Sequence, residues 1–448
     1  MNKVRVLLST SRFLSIFLLL ANIQIVSAAG HVHQGHQSKS TNVADEKSQC
    51  IPSDKLYTHS MCAQTLTSAF APNGDLWRLW SQESSLYFDI STNKGQTFSA
   101  VQKVASVSEK ISSRNENRPK IAFDRYQGVY LSWATPRSKK YTADVRFSYS
   151  ANYGELFSTP VTVNDDNLLT GHSFNELQVT DDGDISIVWL DSRLAYQQRK
   201  QGKESKGSSL YLATANVRKA LNSNGKANAA VTDEPQGLVF NNQSLANNTC
   251  VCCRIAMDTN TKGELAILWR HIYGDNIREF ALLTLANQLP AGGIHKLTPR
   301  VPYQVSFDHW QINGCPHQGG GISIDENNRY HMVWFNQGDK GKGIFYAYSD
   351  NAGKTLSLPL SVGDFSTQAS HPHVSVLGKR VDLVWTQFTG EYHQLWHQSS
   401  TDSGKTFTAA TRLSQSNKGS DRPFIITDGN TNFVSWQRPQ HDHWFKAL

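Results

Sequence analysis

A short run of alternating apolar and polar residues, a turn rich in Asp, Asn or Gly, and a second run ending in Trp recur seven times along the chain. TLTSAFAPNGDLWRLW ends at Trp80, IAFDRYQGVYLSW at Trp133 and LQVTDDGDISIVW at Trp189. RIAMDTNTKGELAILW ends at Trp269, ISIDENNRYHMVW at Trp334, HVSVLGKRVDLVW at Trp385 and FIITDGNTNFVSW at Trp436. Period-two patterning broken by turn residues specifies β-hairpins. A third β-rich run follows each hairpin, for example SSLYFDIS, DVRFSYS or GIFYAYS, and a fourth follows in most units. Four short strands in ~50 residues make one propeller blade. The expected fold is therefore all-β, a β-propeller of seven four-stranded blades by repeat count. A six-bladed ring with one stray hairpin is the alternative. The last unit stops after a third strand at Trp444–Leu448, so Lys55-Leu56-Tyr57 is expected to supply the fourth and close the ring. The wide spacing from Trp189 to Trp269 is read as polar loop insertions at 194–208 and 216–248.

The turn between the third and fourth strands has its own signature. It reads Ser91-Thr92-Asn93-Lys94-Gly95-Gln96-Thr97-Phe98 and returns at 150–157 and 349–356. The cleanest copy is Ser400-Thr401-Asp402-Ser403-Gly404-Lys405-Thr406-Phe407. Asn or Asp accepts backbone N–H bonds, Gly takes a positive φ, and the final apolar residue folds back onto the sheet. These copies resemble the Asp-box (BNR) repeat of sialidase-like β-propellers, over about residues 60–448. The resemblance speaks to fold rather than activity, because the box is structural. The six-bladed alternative is the sialidase type.

The start of the chain changes the setting. Lys3, Arg5 and Arg12 precede and flank an apolar run, Phe13 to Val26, and Val26-Ser27-Ala28 supplies small residues for cleavage. Residues 1–29 thus read as a signal peptide, 30–49 as a flexible His-rich tail and 50–448 as a single propeller domain. An exported protein, periplasmic or secreted, is expected, with no membrane span once the leader is removed. The formal charge of +7 includes the three leader cations, and the mild remainder, with no basic stripe, excludes nucleic acid as a partner. Export also implies an oxidising compartment in which cysteines pair.

The chemistry is expected where the chain leads into each first strand and in the loops after each Trp, because both lie at one end of a four-stranded meander. The lead-ins carry Arg118, Arg254, Arg422, His317 and His371; the loops add Asp191, Arg193, Arg270, Tyr273, Arg278, Glu279, Glu391 and Tyr392. An arginine-lined mouth suits an anionic carbohydrate or another acidic ligand. The sialidase resemblance implies Arg118, Arg254 and Arg422 as a carboxylate clamp. It implies Tyr273 or Tyr392 as nucleophile beside Glu279 or Glu391, and Asp191 as the acid. The family's aromatic-Arg-Ile-Pro motif is absent. Met61-Cys62-Ala63-Gln64-Thr65 leads into the first unit, and Arg254-Ile255 lacks the proline.

Six cysteines complete the inventory. Cys50 and Cys62 are local to the first unit, whereas Cys250, Cys252, Cys253 and Cys315 lead into neighbouring units. Three disulfides are the favoured reading: Cys50–Cys62, one joining Cys315 to the cluster, and a third within it. The alternative is a soft-metal site, such as Cu(I), built from Cys250, Cys252, Cys253 and Cys315 with His317 or His371. No cofactor is demanded by the sequence. Copper is the one left open, by this cluster and by an Ala29-Gly30-His31 terminus that would suit Cu(II). Three functions are carried forward: binding or hydrolysis of an acidic glycan, non-catalytic binding of a protein partner through 194–208 and 336–343, and exported copper handling.

Overall fold

Each of the seven repeat tryptophans lies on the second strand of an antiparallel meander and is at most 1% exposed. The computed structural model describes residues 50, 58–223, 238–288, 296–299, 301–439 and 442–448. The leader and tail, and the segment Lys55-Leu56-Tyr57, lie outside them.

Unit I comprises Leu66–Phe70, Leu76–Gln82, Ser85–Ser91 and Gln102–Lys103. Unit II comprises Lys120–Phe123, Val129–Pro136, Ala143–Ser150 and Val161–Thr162. Unit III runs through His172–Val179, Asp184–Asp191, Ser208–Asn216 and Asn241–Thr249. Unit IV has Ala256–Thr259, Leu265–Tyr273 and Ile277–Gln288, with Lys296–Pro299 and Tyr303–Gln304 both against its third strand. Units III and IV merge into one nine-stranded sheet through the pair Thr249↔His271. Unit V is Gly321–Ile324, Tyr330–Gln337, Lys342–Ser349 and Leu360–Val362, and unit VI is Ser370–Leu377, Arg380–Phe388, His393–Ser400 and Thr411–Ser416. Unit VII has three described strands, Phe424–Thr427, Asn432–Arg438 and Asp442–Ala447.

Apolar side chains are shared between consecutive sheets, which is why no sheet stands alone. Trp77 and Phe88 of unit I pack with Leu131 and Trp133 of unit II. The same sharing joins units II and III, III and IV, IV and V, V and VI, and VI and VII. First strands of consecutive units are neighbours throughout, and Phe424–Thr427 returns to Leu66–Phe70. There Ser68 Oγ lies 3.1 Å from Ser435 Oγ, and the Phe70 and Phe433 rings sit 5.2 Å apart.

The recurrent turn folds identically four times. Ser91, Ser150, Ser349 and Ser400 each accept through Oγ from the glycine N–H four residues on, at 2.8, 2.9, 2.9 and 2.9 Å. Asn93, Asn152, Asn351 and Asp402 each accept the N–H four residues further on. Gly154 has φ +86°, and a Cβ there would lie 2.7 Å from Trp77 of the preceding unit. A Cβ on Gly95 would likewise meet Phe445 of unit VII, so the turn of unit I docks on the last sheet.

The insertions are not plain loops. The first holds an α-helix, Arg193–Lys200, whose Ala195 is 4% exposed and which packs on Ser208–Asn216. The second begins with the helix Val217–Ser223 and ends in the fourth strand of unit III. That strand, NNQSLANNT, is an outer, mostly exposed strand with a shifted register, so it needs no apolar alternation and shows none. Among the described residues no helix is long and apolar enough to cross a membrane.

Candidate functional site

A cleft of about 610 Å³ opens where the chain leads into the first strands of units II, V, VI and VII. Its walls present amides and aromatic rings, including Gln318, Gln387, Phe365 and Phe388, together with His371 and His393. His371 owes its position to the backbone. The register of Ser370–Leu377 slips between Ser370 and His373, and His371 takes φ +52° inside that irregularity. A left-handed conformation is costly for a residue with a Cβ, and a bulge re-aims the side chain it carries. The His371 N–H donates to Gln318 Oε1 at 3.1 Å.

Beneath it lies Glu116, whose side chain is 3% exposed. Glu116 Oε2 accepts the N–H groups of Arg254 (3.2 Å) and Gly319 (3.1 Å), and Oε1 lies 3.0 Å from His371 Nδ1. Burial opposes ionisation of Glu116, but Arg254, His371 and Arg422 outweigh it and hold its carboxyl well below the usual carboxylate range. An ionised carboxylate only accepts hydrogen bonds, so His371 Nδ1 is the donor to Glu116. His393, its ring 4.7 Å from that of Phe388, is shifted down by burial and by His371.

The arginines expected at the mouth lie under the cleft instead. Arg118 is 2% exposed and donates to Leu66 O, Asn115 O and Asp421 Oδ1. Arg254, 3% exposed, donates to the carbonyls of Gly319, Gly320 and Pro372, and Arg422 Nε to Asn115 O. Burial, then the neighbouring Arg422, lowers both Arg118 and Arg254 to about 10. These guanidiniums join units I, II, IV, V, VI and VII by donating to backbone carbonyls around their first strands and to Asp421.

The remaining expected residues form separate groups. Asp191 is 0% exposed and accepts from Trp189 Nε1 (2.9 Å) and Arg193 N (2.8 Å), with His172 Nε2 at 3.7 Å. Arg193 also pairs with Asp165 and Asp166. Glu279 is 0% exposed and accepts from Ser306 and from Asn336 Nδ2 (2.8 Å), and burial raises its pKa. Burial and the nearby Glu279 push Tyr273 up to about 12, and its ring lies 4.5 Å from that of His271. Arg270 donates to Asn336 Oδ1, Arg278 O and Gln318 O, and Arg278 to Ile312 O. Glu391 and Tyr392 hydrogen-bond each other in the turn after Phe388. None of the described ion pairs or hydrogen bonds joins Asp191, Tyr273 or Glu391 to Arg118, Arg254 or Arg422.

Of the cysteines, Cys50 pairs with Cys62 and Cys252 with Cys315. Cys250 and Cys253 are thiols, with Sγ atoms 2.8 Å apart, so the expected third disulfide is not closed and no vicinal Cys252–Cys253 bond forms. The hydrogen bond from Cys253 lowers Cys250 to about 6, and burial drives Cys253 well up. The Cys252–Cys315 bond takes two sulfurs from the proposed soft-metal set. Cys252, Cys315 and His317 are still grouped within 4.8 Å of one another, whereas His371 is engaged by Glu116. Gln318 links this cluster to the cleft, since it contacts Cys253, Arg270 and His371.

Glu116 and Gln318 escaped the sequence reading, whereas His393 was among the polar residues of the loop after Trp385. Glu116 sits two residues before Arg118 in an unremarkable polar stretch, and its partners come from units IV, V and VI.

No protein-family model matches the chain, and no curated protein matches it in sequence. Among solved structures it is similar to an ulvan lyase of a polysaccharide lyase family, at 9% identity and TM-score 0.49, covering 86% of this chain and 91% of that one. It is similar to the polysaccharide lyase Uly1 at 9% identity and TM-score 0.48, covering 89% and 90%. It is also similar to a leech intramolecular trans-sialidase at 8% identity and TM-score 0.44, covering 84% and 82%.

Proposed function

We propose that the chain is an exported, closed seven-bladed propeller of the Asp-box type that binds an acidic carbohydrate in the cleft and acts on it by proton transfer. His371 is the general base, and Glu116 positions it and fixes its tautomer. The observation that carries the reading is the His371–Glu116 pair, with the imidazole at the cleft wall in a left-handed backbone conformation and the carboxylate buried beneath it. The amide and aromatic walls suit hydroxyl groups and sugar faces. Three buried guanidiniums stand against two carboxyls, Glu116 and Asp421, under the floor. Their surplus positive field favours an anionic ligand.

The test is a panel of acidic and neutral polysaccharides, followed by new reducing ends and by ultraviolet absorbance of unsaturated products. Acidic polymers should be cleaved, and His371→Ala should lower kcat about 10²–10⁴-fold with the fold intact. Binding without any turnover, unchanged in His371→Ala, would remove the base and leave non-catalytic binding of an acidic glycan.

A further inference from the structure

Four cysteines sit at this end of the molecule, and they differ sharply in access. Cys250, Cys252 and Cys253 are 1%, 4% and 2% exposed, whereas Cys315 is exposed. Cys250 Sγ lies 2.8 Å from Cys253 Sγ and 3.8 Å from Cys252 Sγ, which is itself bonded to Cys315. One sulfur therefore touches both the other thiol and the disulfide. Packing three cysteine sulfurs together in the interior has no obvious value for stability, since an aliphatic side chain would fill the space as well.

We propose that these four residues form one thiol–disulfide exchange site, in which the buried Cys250/Cys253 dithiol and the Cys252–Cys315 disulfide interconvert and Cys315 is the contact to outside thiols. The exchange balances within the chain. Cys250 sulfur attacks Cys252 Sγ, the Cys252–Cys315 bond breaks, and Cys315 leaves as a thiolate that takes up the proton Cys250 gave up. Cys253 sulfur then attacks Cys250 Sγ, forming Cys250–Cys253 and releasing Cys252, which takes the proton of Cys253. One disulfide and two thiols are present before and after, so no external oxidant is consumed. Exchange with an external thiol or disulfide enters through Cys315, the sulfur that solvent reaches. The site is independent of the cleft chemistry and needs neither His371 nor Glu116.

The experiment uses the mature full chain at pH 8. Limited dithiothreitol leaves one disulfide among the four cysteines, as verified by intact mass. The reductant is removed, and the protein is incubated for minutes to hours. Samples are quenched in acid, alkylated with N-ethylmaleimide and mapped by peptide mass spectrometry, and the readout is the labelled fraction of Cys315. Exchange predicts a drift to an intermediate plateau, with the two pairings within about a hundredfold of each other. Cys250→Ser should slow that drift about tenfold or more. A labelled fraction locked at its starting value in the wild type overturns the proposal, as does a drift undiminished in Cys250→Ser. Should that variant not fold, oxidised glutathione added to the wild type decides. Glutathione found first on Cys315, in chains that already hold Cys250–Cys253, and then lost as the Cys252 thiol attacks Cys315 and re-forms Cys252–Cys315 supports the site. Glutathione that stays on Cys315, or adds to Cys250 directly, refutes it.

Discussion

Replacing Glu116 by Gln keeps the shape of the side chain and deletes its charge, so it probes the buried pair under the cleft. In the native protein the carboxylate faces Arg254 Nε at 3.6 Å and accepts two backbone N–H groups and His371 Nδ1. Arg254 cannot shed its charge, and its other partners are neutral carbonyls. Breaking a buried ion pair by neutralising one member costs about 3–5 kcal/mol, and the surviving amide hydrogen bonds place this case near the lower value. The pH dependence has a definite sign. The folded pKa of Glu116 is depressed below its usual 4.5, so its stabilisation is present above that value and is lost as pH falls through the folded pKa. The gap between wild type and Glu116→Gln should be constant from about pH 7 to 5 and should shrink below about 4.5. Urea unfolding followed by Trp fluorescence measures it. The amide NH₂ would also donate toward Nδ1 and move the proton of His371 to Nε2, a tautomer change visible in imidazole nitrogen NMR shifts. A gap under about 0.5 kcal/mol at pH 7, or one that persists undiminished at pH 3, would refute the electrostatic account.

Two contrasts test the fold. Gly154→Ala must hold a positive φ and place its Cβ against Trp77, whereas Gly74→Ala, with φ +88°, meets nothing within 4 Å. The second should cost about 1–2 kcal/mol and the first clearly more; equal values by urea unfolding would mean that the turn does not dock on its neighbour. Trp436 Nε1 donates to Asp421 O at 2.9 Å, whereas Trp385 Nε1 is buried without a partner. Trp436→Phe should therefore exceed Trp385→Phe by about 1 kcal/mol in the same assay, and the opposite order would contradict the hydrogen-bond assignment.

Local patterns were legible wherever one residue type has one physical job. The repeat tryptophans marked second strands because each is buried there, six of the seven between two sheets, and the Ser–Asn–Gly turns close through bonds spanning four residues. Asn241–Thr249 was invisible because an exposed outer strand carries no alternation. The arginines were legible as a group but not in their role, since a basic residue before a strand looks the same whether it faces a ligand or a neighbour's carbonyl. Arg118 and Arg254 turned inward to donate to backbone carbonyls of neighbouring first strands.

The sequence by itself determined the repeating antiparallel unit and its turns, because these rest on contacts within a few tens of residues. Tertiary structure alone decided which polar residues meet. Glu116 and His371 stand 255 positions apart, and Cys252 reaches Cys315 across two units. Such partners are chosen by how the sheets converge on their first strands, and side-chain pattern along one unit carries no record of what the next unit brings beside it.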